Sequence, residues 1–396
     1  MNLLRSERLS AALLLIAATL GLLVANIPAG AAVVALGHTK LTVPWLTLTL
    51  SLDHWISDGL LAIFFFAVAV ELKRELVIGE LRSVSRAAVP TIAAFGGVIV
   101  PAGIFVLFNA GRPTVSGWPI PTATDIAFAL GALAIFGRWI PTRVRVFLLA
   151  LAVIDDLIAI TIIAVFFAGA LNMLWLAIAA VALCAVAVVS RHLEPRSRYI
   201  LTRHPQWPLK VVLMVLALLT WYAVYQSGVH ATIAGVGLGL VMARNPGSRL
   251  RHRIEPASNL IILPLFAFSE ALVAIPQVSP AQLNPAFWGI VIGLPAGKLI
   301  GVVIAGAIGL AIFRQRVSRP LLGSDLLVIG ALSGIGFTVS LLMNGLAFAQ
   351  QPEVADEGTL AVLLGSGVAI ALSAVVVTWR SLWYKKQATA EHPEPV

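Results

Sequence analysis

Two adjacent carboxylates, Asp155 and Asp156, interrupt the apolar run Leu148 to Ile163 (LLALAVIDDLIAITII), part of a stretch long enough to cross a bilayer. A charged side chain at membrane depth is costly and marks an ion path or a proton relay. One cation, Lys298, lies about halfway along a second such stretch, FWGIVIGLPAGKLIGVVIAGAIGL. At about 1.5 Å of rise per residue, Asp156 and Lys298 both reach the middle of a hydrocarbon core roughly 30 Å thick, so they are expected to be partners. Consecutive helical residues point about 100° apart. One carboxylate can therefore face an ion while its neighbour pairs with Lys298, and spacing alone leaves open which does which. Oxygen ligands suit a hard cation, and a carboxylate held away from water keeps a proton more readily. Such a site can hold either a proton or a small metal cation.

The elements that must position these residues follow from composition. Hydrophobic residues make up 59% of the 396-residue chain and charged residues 11%, against roughly a quarter charged in soluble domains. This is the profile of an all-α polytopic membrane protein. Apolar runs near the spanning length of about 20 residues fall at 9–27, 54–72, 87–108, 118–136, 145–168, 173–190, 209–225, 228–243, 257–275, 287–312, 323–348 and 358–379. The first is too long for a signal peptide and reads as a span. The single cysteine, Cys184, allows no intrachain disulfide and reads as a small core residue.

Lysine and arginine test the count of twelve, because cytoplasmic loops carry the excess of both. Alternate connections, beginning with Arg5 and Arg8 and ending with Arg380, Lys385 and Lys386, hold 24 of the 27. The opposite connections hold only Lys40 and Arg112. Both termini are therefore expected in the cytoplasm. The net charge of +9 reads as topology rather than as a surface for nucleic acid, and most of these basic residues read as solvated topology markers.

Two spans carry helix-weakening residues in mid-membrane. The fourth, WPIPTATDIAFALGALAIFG, has Pro119, Pro121 and two threonines ahead of Asp125; the eleventh, LLVIGALSGIGFTVSLLMNG, has Ser333, Gly334, Gly336 and Thr338. Opened backbone at that depth must be satisfied inside protein or by a water-filled cavity, and it can then bind ions. The two occupy matching places in spans three to five and ten to twelve, an odd offset of seven. The units 87–168 and 287–379 are thus expected to be inverted repeats, with the binding site where their interruptions meet.

TATDIAFALG (Thr122 to Gly131), LALAVIDDLIAI (Leu149 to Ile160), SGVHATIAG (Ser227 to Gly235), ILPLFAF (Ile262 to Phe268) and GIGFTVS (Gly334 to Ser340) resemble the signature segments of the NhaA-type sodium/proton antiporters. FFFAVAVELKREL (Phe64 to Leu76) and the tenth-span lysine fit as well, so the resemblance covers nearly the whole chain. It implies a single transporter domain, 1–383, of twelve helices, the fourth and eleventh interrupted and crossing near the bilayer centre. It implies Asp156 as the principal Na+ and H+ site with Asp155 beside it, and Thr124 as an oxygen donor at the unwound segment. Asp125 would offset two facing helix N-termini and Lys298 the facing C-termini. The implied activity is exchange of cytoplasmic Na+, and Li+, for external H+ by alternating access at a bacterial inner membrane, electrogenic and pH-regulated. It implies no enzymatic step and no cofactor.

For regulation, Glu71, Lys73, Arg74 and Glu75 match the family's pH-sensing entrance, and His230, His252 and Glu255 are further candidates. The chain departs from the family where Arg251, not an acid, precedes His252, and where Ser269, Glu270 and Ala271 follow LPLFAF. The outer segment at 41–53 includes WLTLTLSL, whose period of two is a strand signature. In the family a hairpin here pairs with its copy in a second subunit, which implies a homodimer. The polar tail, 384–396, reads as cytoplasmic and disordered. Two other classes compete: an intramembrane protease, which would need carboxylates converging from different helices such as Asp125 and Asp156, and a passive cation channel.

Overall fold

The computed structural model describes residues 7–44, 48–195, 197–201, 205–276, 278–313 and 321–391. In chain order the main helices are α1 (Glu7–Ala25), α2 (Leu52–Val77), α3 (Val84–Asn109), α4 (Ile126–Phe136), α5 (Thr142–Phe166), α6 (Met173–Arg191) and α7 (Trp207–Gln226). Then follow α8 (Thr232–Val241), α9 (Arg244–Ala257), α10 (Pro285–Phe313), α11 (Gly323–Ser333), α12 (Phe337–Ala347) and α13 (Pro352–Glu391). Among the described residues eight helices are long and apolar enough to span a membrane, or ten when each of two bent pairs counts as one span. The protein is an all-α multi-pass membrane protein.

The spans expected at 228–243 and 257–275 differ from a simple count of twelve. The first is the ten-residue α8, about 15 Å long and half a hydrocarbon core. The second starts earlier, in the basic α9, and continues through a π-helical turn (Ser258–Ile262) into Leu263–Glu270, so its apolar part is only the end of a longer rod. A second correction concerns the tail, since α13 runs on to Glu391. Lys385, Lys386, Gln387, Ala388 and Glu391 are good helix formers appended to an existing helix, so no new nucleation is required.

The chain divides into two compact units. The first comprises residues 1–26, 80–159 and 270–396. Within it α3 and α10 cross at Gly96 and Gly301, where a Cβ on either would strike the other's backbone carbonyl. Small residues at such crossings let helices meet backbone to backbone in a membrane. α10 holds a π-helical turn, Gly293–Gly297, immediately before Lys298. The extra residue of a π turn re-aims the side chains that follow it. The fourth span is two 3-10 turns, Pro113–Gly117 and Ile120–Thr122, then α4 at a 42° bend, and the pair α11 and α12 bends by 50°. Both spans expected to be interrupted are interrupted.

The second unit comprises residues 27–79 and 160–269. Its core joins Phe66 and Val70 of α2 to Val186 of α6 and Leu238 of α8. Strands β1 (Lys40–Val43) and β2 (Leu48–Ser51) form an antiparallel hairpin with Leu41 opposite Leu50 and Thr42 opposite Thr49. Leu48 and Leu50 are buried and Thr49 exposed, the alternation expected of a strand. Trp45, Leu46 and Thr47 of the expected strand lie outside the described residues, as do Arg5, Arg196, Arg203, Arg314, Arg316 and Arg319.

Candidate functional site

In the first unit the two interruptions lie side by side. Pro119 and Pro121 withhold two backbone donors from the fourth span, and the chain at Ala123 turns extended. The Asp125 amide donates to the Ile335 carbonyl (2.6 Å), and the Thr124 hydroxyl donates to the Ser333 carbonyl (2.8 Å), an orphan acceptor at the end of α11. A Cβ on Gly336 would lie 2.9 Å from the Ala123 carbonyl, so glycine permits this approach.

Asp125 caps two helices. Its Oδ1 accepts from the Ala127 and Phe128 amides at the start of α4, and its Oδ2 accepts from the Thr338 amide (3.2 Å) and hydroxyl (2.7 Å) at the start of α12. One buried carboxylate thus faces two helix N-termini, each with partial positive charge.

α5 and α10 supply the other charges. Lys298 Nζ donates to Asp155 Oδ2 at 2.5 Å, with the lysine 0% and the aspartate 1% exposed. The geometry gives Lys298 to Asp155 and not to Asp156, the partner expected from equal depth, because the rotation of α5 turns Asp155 toward α10. Asp155 Oδ1 is buried and accepts no hydrogen bond among the described residues. The neighbouring Thr124 hydroxyl has its proton committed to Ser333. Asp156 is half-buried and close enough to interact electrostatically with Lys298. Thr124, Asp125, Asp155, Asp156 and Lys298 all belong to this unit.

The regulatory candidates lie in the second unit and divide. Arg251 bridges Glu71 (3.0 Å) and Glu255 (3.7 Å), and His252 Nδ1 lies 3.4 Å from Glu255. Glu75 is one turn beyond Glu71 on α2. His230 makes its contacts elsewhere, with Nε2 2.9 Å from Asp58 Oδ1 and Nδ1 2.8 Å from the Thr232 hydroxyl. The Trp221 indole donates to the Asp58 carbonyl and stacks on Trp55.

Two buried acids were absent from the sequence-derived site, Asp58 and Asp325. Both stand inside runs read as spans, and an ionisable residue there is itself the signal. Asp325 collects Arg380, Tyr384 and Arg143. Arg143, Arg251 and Arg380 are therefore more than topology markers.

A family profile described as Na+/H+ antiporter 1 matches residues 1–377. The chain is 56% identical over 381 residues to Na(+)/H(+) antiporter NhaA 2 of Clavibacter michiganensis, covering 96% of this chain and 92% of that one. It is 43% identical to Na(+)/H(+) antiporter NhaA of Tropheryma whipplei strain Twist (95% of each chain) and 41% identical to NhaA 3 of Streptomyces coelicolor (98% of this chain, 82% of that one). Near-complete coverage at these identities, together with the two interrupted spans, means that the chain belongs to the Na+/H+ antiporter 1 family.

Proposed function

We propose that this protein exchanges cytoplasmic Na+, and also Li+, for external H+ across a bacterial inner membrane. The observation that carries the reading is the buried Asp155–Lys298 pair beside Asp156, in the same unit as the adjoining interruptions capped by Asp125. A cation arriving at Asp156 would meet the unengaged Asp155 oxygen and the Thr124 hydroxyl. A proton would compete for the same carboxylates. Competition plus alternating exposure to the two sides yields coupled exchange with neither hydrolysis nor a cofactor. More protons than Na+ ions per cycle would make it electrogenic. The relatives named above are antiporters, which supports exchange over proteolysis, and so does the engagement of both Asp125 oxygens with helix ends.

The Glu71, Glu75, Arg251, His252 and Glu255 group, with His230 as a second titratable centre, would set the pH range of activity. The bias of lysine and arginine supports cytoplasmic termini, and the hairpin at 41–53 would join two copies into a homodimer. In everted vesicles carrying a pH-sensitive dye, Na+ and Li+ should dissipate the proton gradient, and Asp156→Asn should abolish the response with the protein still inserted. Full exchange by that variant would overturn the assignment, and a Na+ current without proton movement would indicate a channel.

A further inference from the structure

Three helices meet on Asp325. It is fully buried in the first turn of α11. Its Oδ1 accepts from Arg380 Nε (2.9 Å), its Oδ2 from the Leu322 amide (3.1 Å), and the Tyr384 hydroxyl lies 2.9 and 3.0 Å from the two oxygens. Arg143, in the first turn of α5, reaches Tyr384 Oη at 2.9 Å and stands 3.8 Å from Asp325 Oδ2. Arg380, about three turns before the end of α13, packs against two rings, its Cζ 3.9 Å from the Trp383 centroid and 4.6 Å from that of Tyr384.

We propose that Asp325 is a positioning residue for ion exchange, clamping α5, α11 and α13 so that the carboxylates of α5 keep their register against the Ser333–Thr124 contact. Both helices that leave the clamp lead to the candidate site. Along α5, Asp155 lies about 18 Å beyond Arg143, and along α11, Ser333 lies about 12 Å beyond Asp325. Packed helices move as rigid rods, so an anchor at one end fixes height at the other. An exposed ion pair could not do this, because solvent screening leaves it little net strength. A buried, fully bonded one resists sliding, because each displacement leaves a charge without its partner.

This inference rests on the exchange reading above. The experiment measures KM and maximal rate for Na+ and for Li+ in everted vesicles, with the amount of inserted protein determined alongside. For Asp325→Asn the expected result is an apparent Na+ KM raised about fivefold, a changed ratio of Na+ to Li+ KM, and a maximal rate per inserted molecule close to wild type. Asp325→Glu keeps the charge and should restore KM. The double variant D325N/R380Q removes the stranded guanidinium, so it should recover insertion while KM stays high. Wild-type KM values and ion ratio in Asp325→Asn or in the double variant would overturn the positioning role alone. Failure of all three variants to insert would assign the cluster to folding and also overturn it. Absence of cation-driven proton movement in the unaltered protein would instead remove the exchange reading and this inference with it.

Discussion

In the first unit both partners of the Asp155–Lys298 and Asp325–Arg380 pairs are at most 3% exposed, whereas in the second unit Glu71 and Glu255, which share Arg251, are each 30% exposed. Removing one partner of a buried pair strands a charge and costs about 3–5 kcal/mol, while a surface pair is worth about 0–1 kcal/mol. The first unit therefore holds charges that define a geometry. The second unit also holds a largely buried pair, Asp58 with His230, but its Glu71, Arg251 and Glu255 group is partly exposed and can be rearranged at lower cost, which suits adjustment more than architecture.

The contrast can be broken most directly at Lys298. Lys298→Ala is expected to lower stability by about 3–5 kcal/mol, read as a fall in the thermal midpoint of detergent-solubilised protein, and to abolish exchange. Replacing Asp155 by Ala in the same chain should recover much of that midpoint without recovering transport. Next comes Asp125→Ala, which uncaps α4 and α12 together. At about 1 kcal/mol per cap, it should lower the midpoint by less than Lys298→Ala, with loss of exchange. The smallest effect is expected for Arg251→Gln. With Arg251 11% and its partners 30% exposed, the stability cost of this change should fall below that of Lys298→Ala, and the midpoint of the activity–pH profile should move by less than about one unit, since a unit is worth about 1.4 kcal/mol. If Arg251→Gln destabilised the protein more than Lys298→Ala, the distinction between the units would collapse.

Most span limits were legible because two independent signals, apolar length and the side on which lysine and arginine fall, agreed on them. α8 and α9 were less so, since only a short break around Gly228 precedes α8 and the basic α9 runs on into the apolar Leu263–Glu270 with no helix end where hydropathy changes. Equal depth predicted a partner for Lys298. It left the choice between Asp155 and Asp156 open, because helix rotation depends on neighbours and on the π turn before the lysine, and a π turn has no hydropathy signature. Asp125 came from the family resemblance, and its two sets of amide donors now give that position a physical reason. The Asp325 cluster escaped because its carboxylate and Arg380 are 55 residues apart and charges at span ends are ordinarily solvated. His230 and Asp58 are likewise distant in the chain and meet only when α2 and the segment before α8 are folded together.

The cap on α4 is Asp125, and the corresponding position at the start of α12 is Gly336. A single acid serves both, and a second at Gly336 would set two anions face to face. Were the units 87–168 and 287–379 copies of one ancestral unit, they could not both keep this residue. Divergence between them would be forced at the very spot where they touch, so a search for internal similarity should find least kinship there.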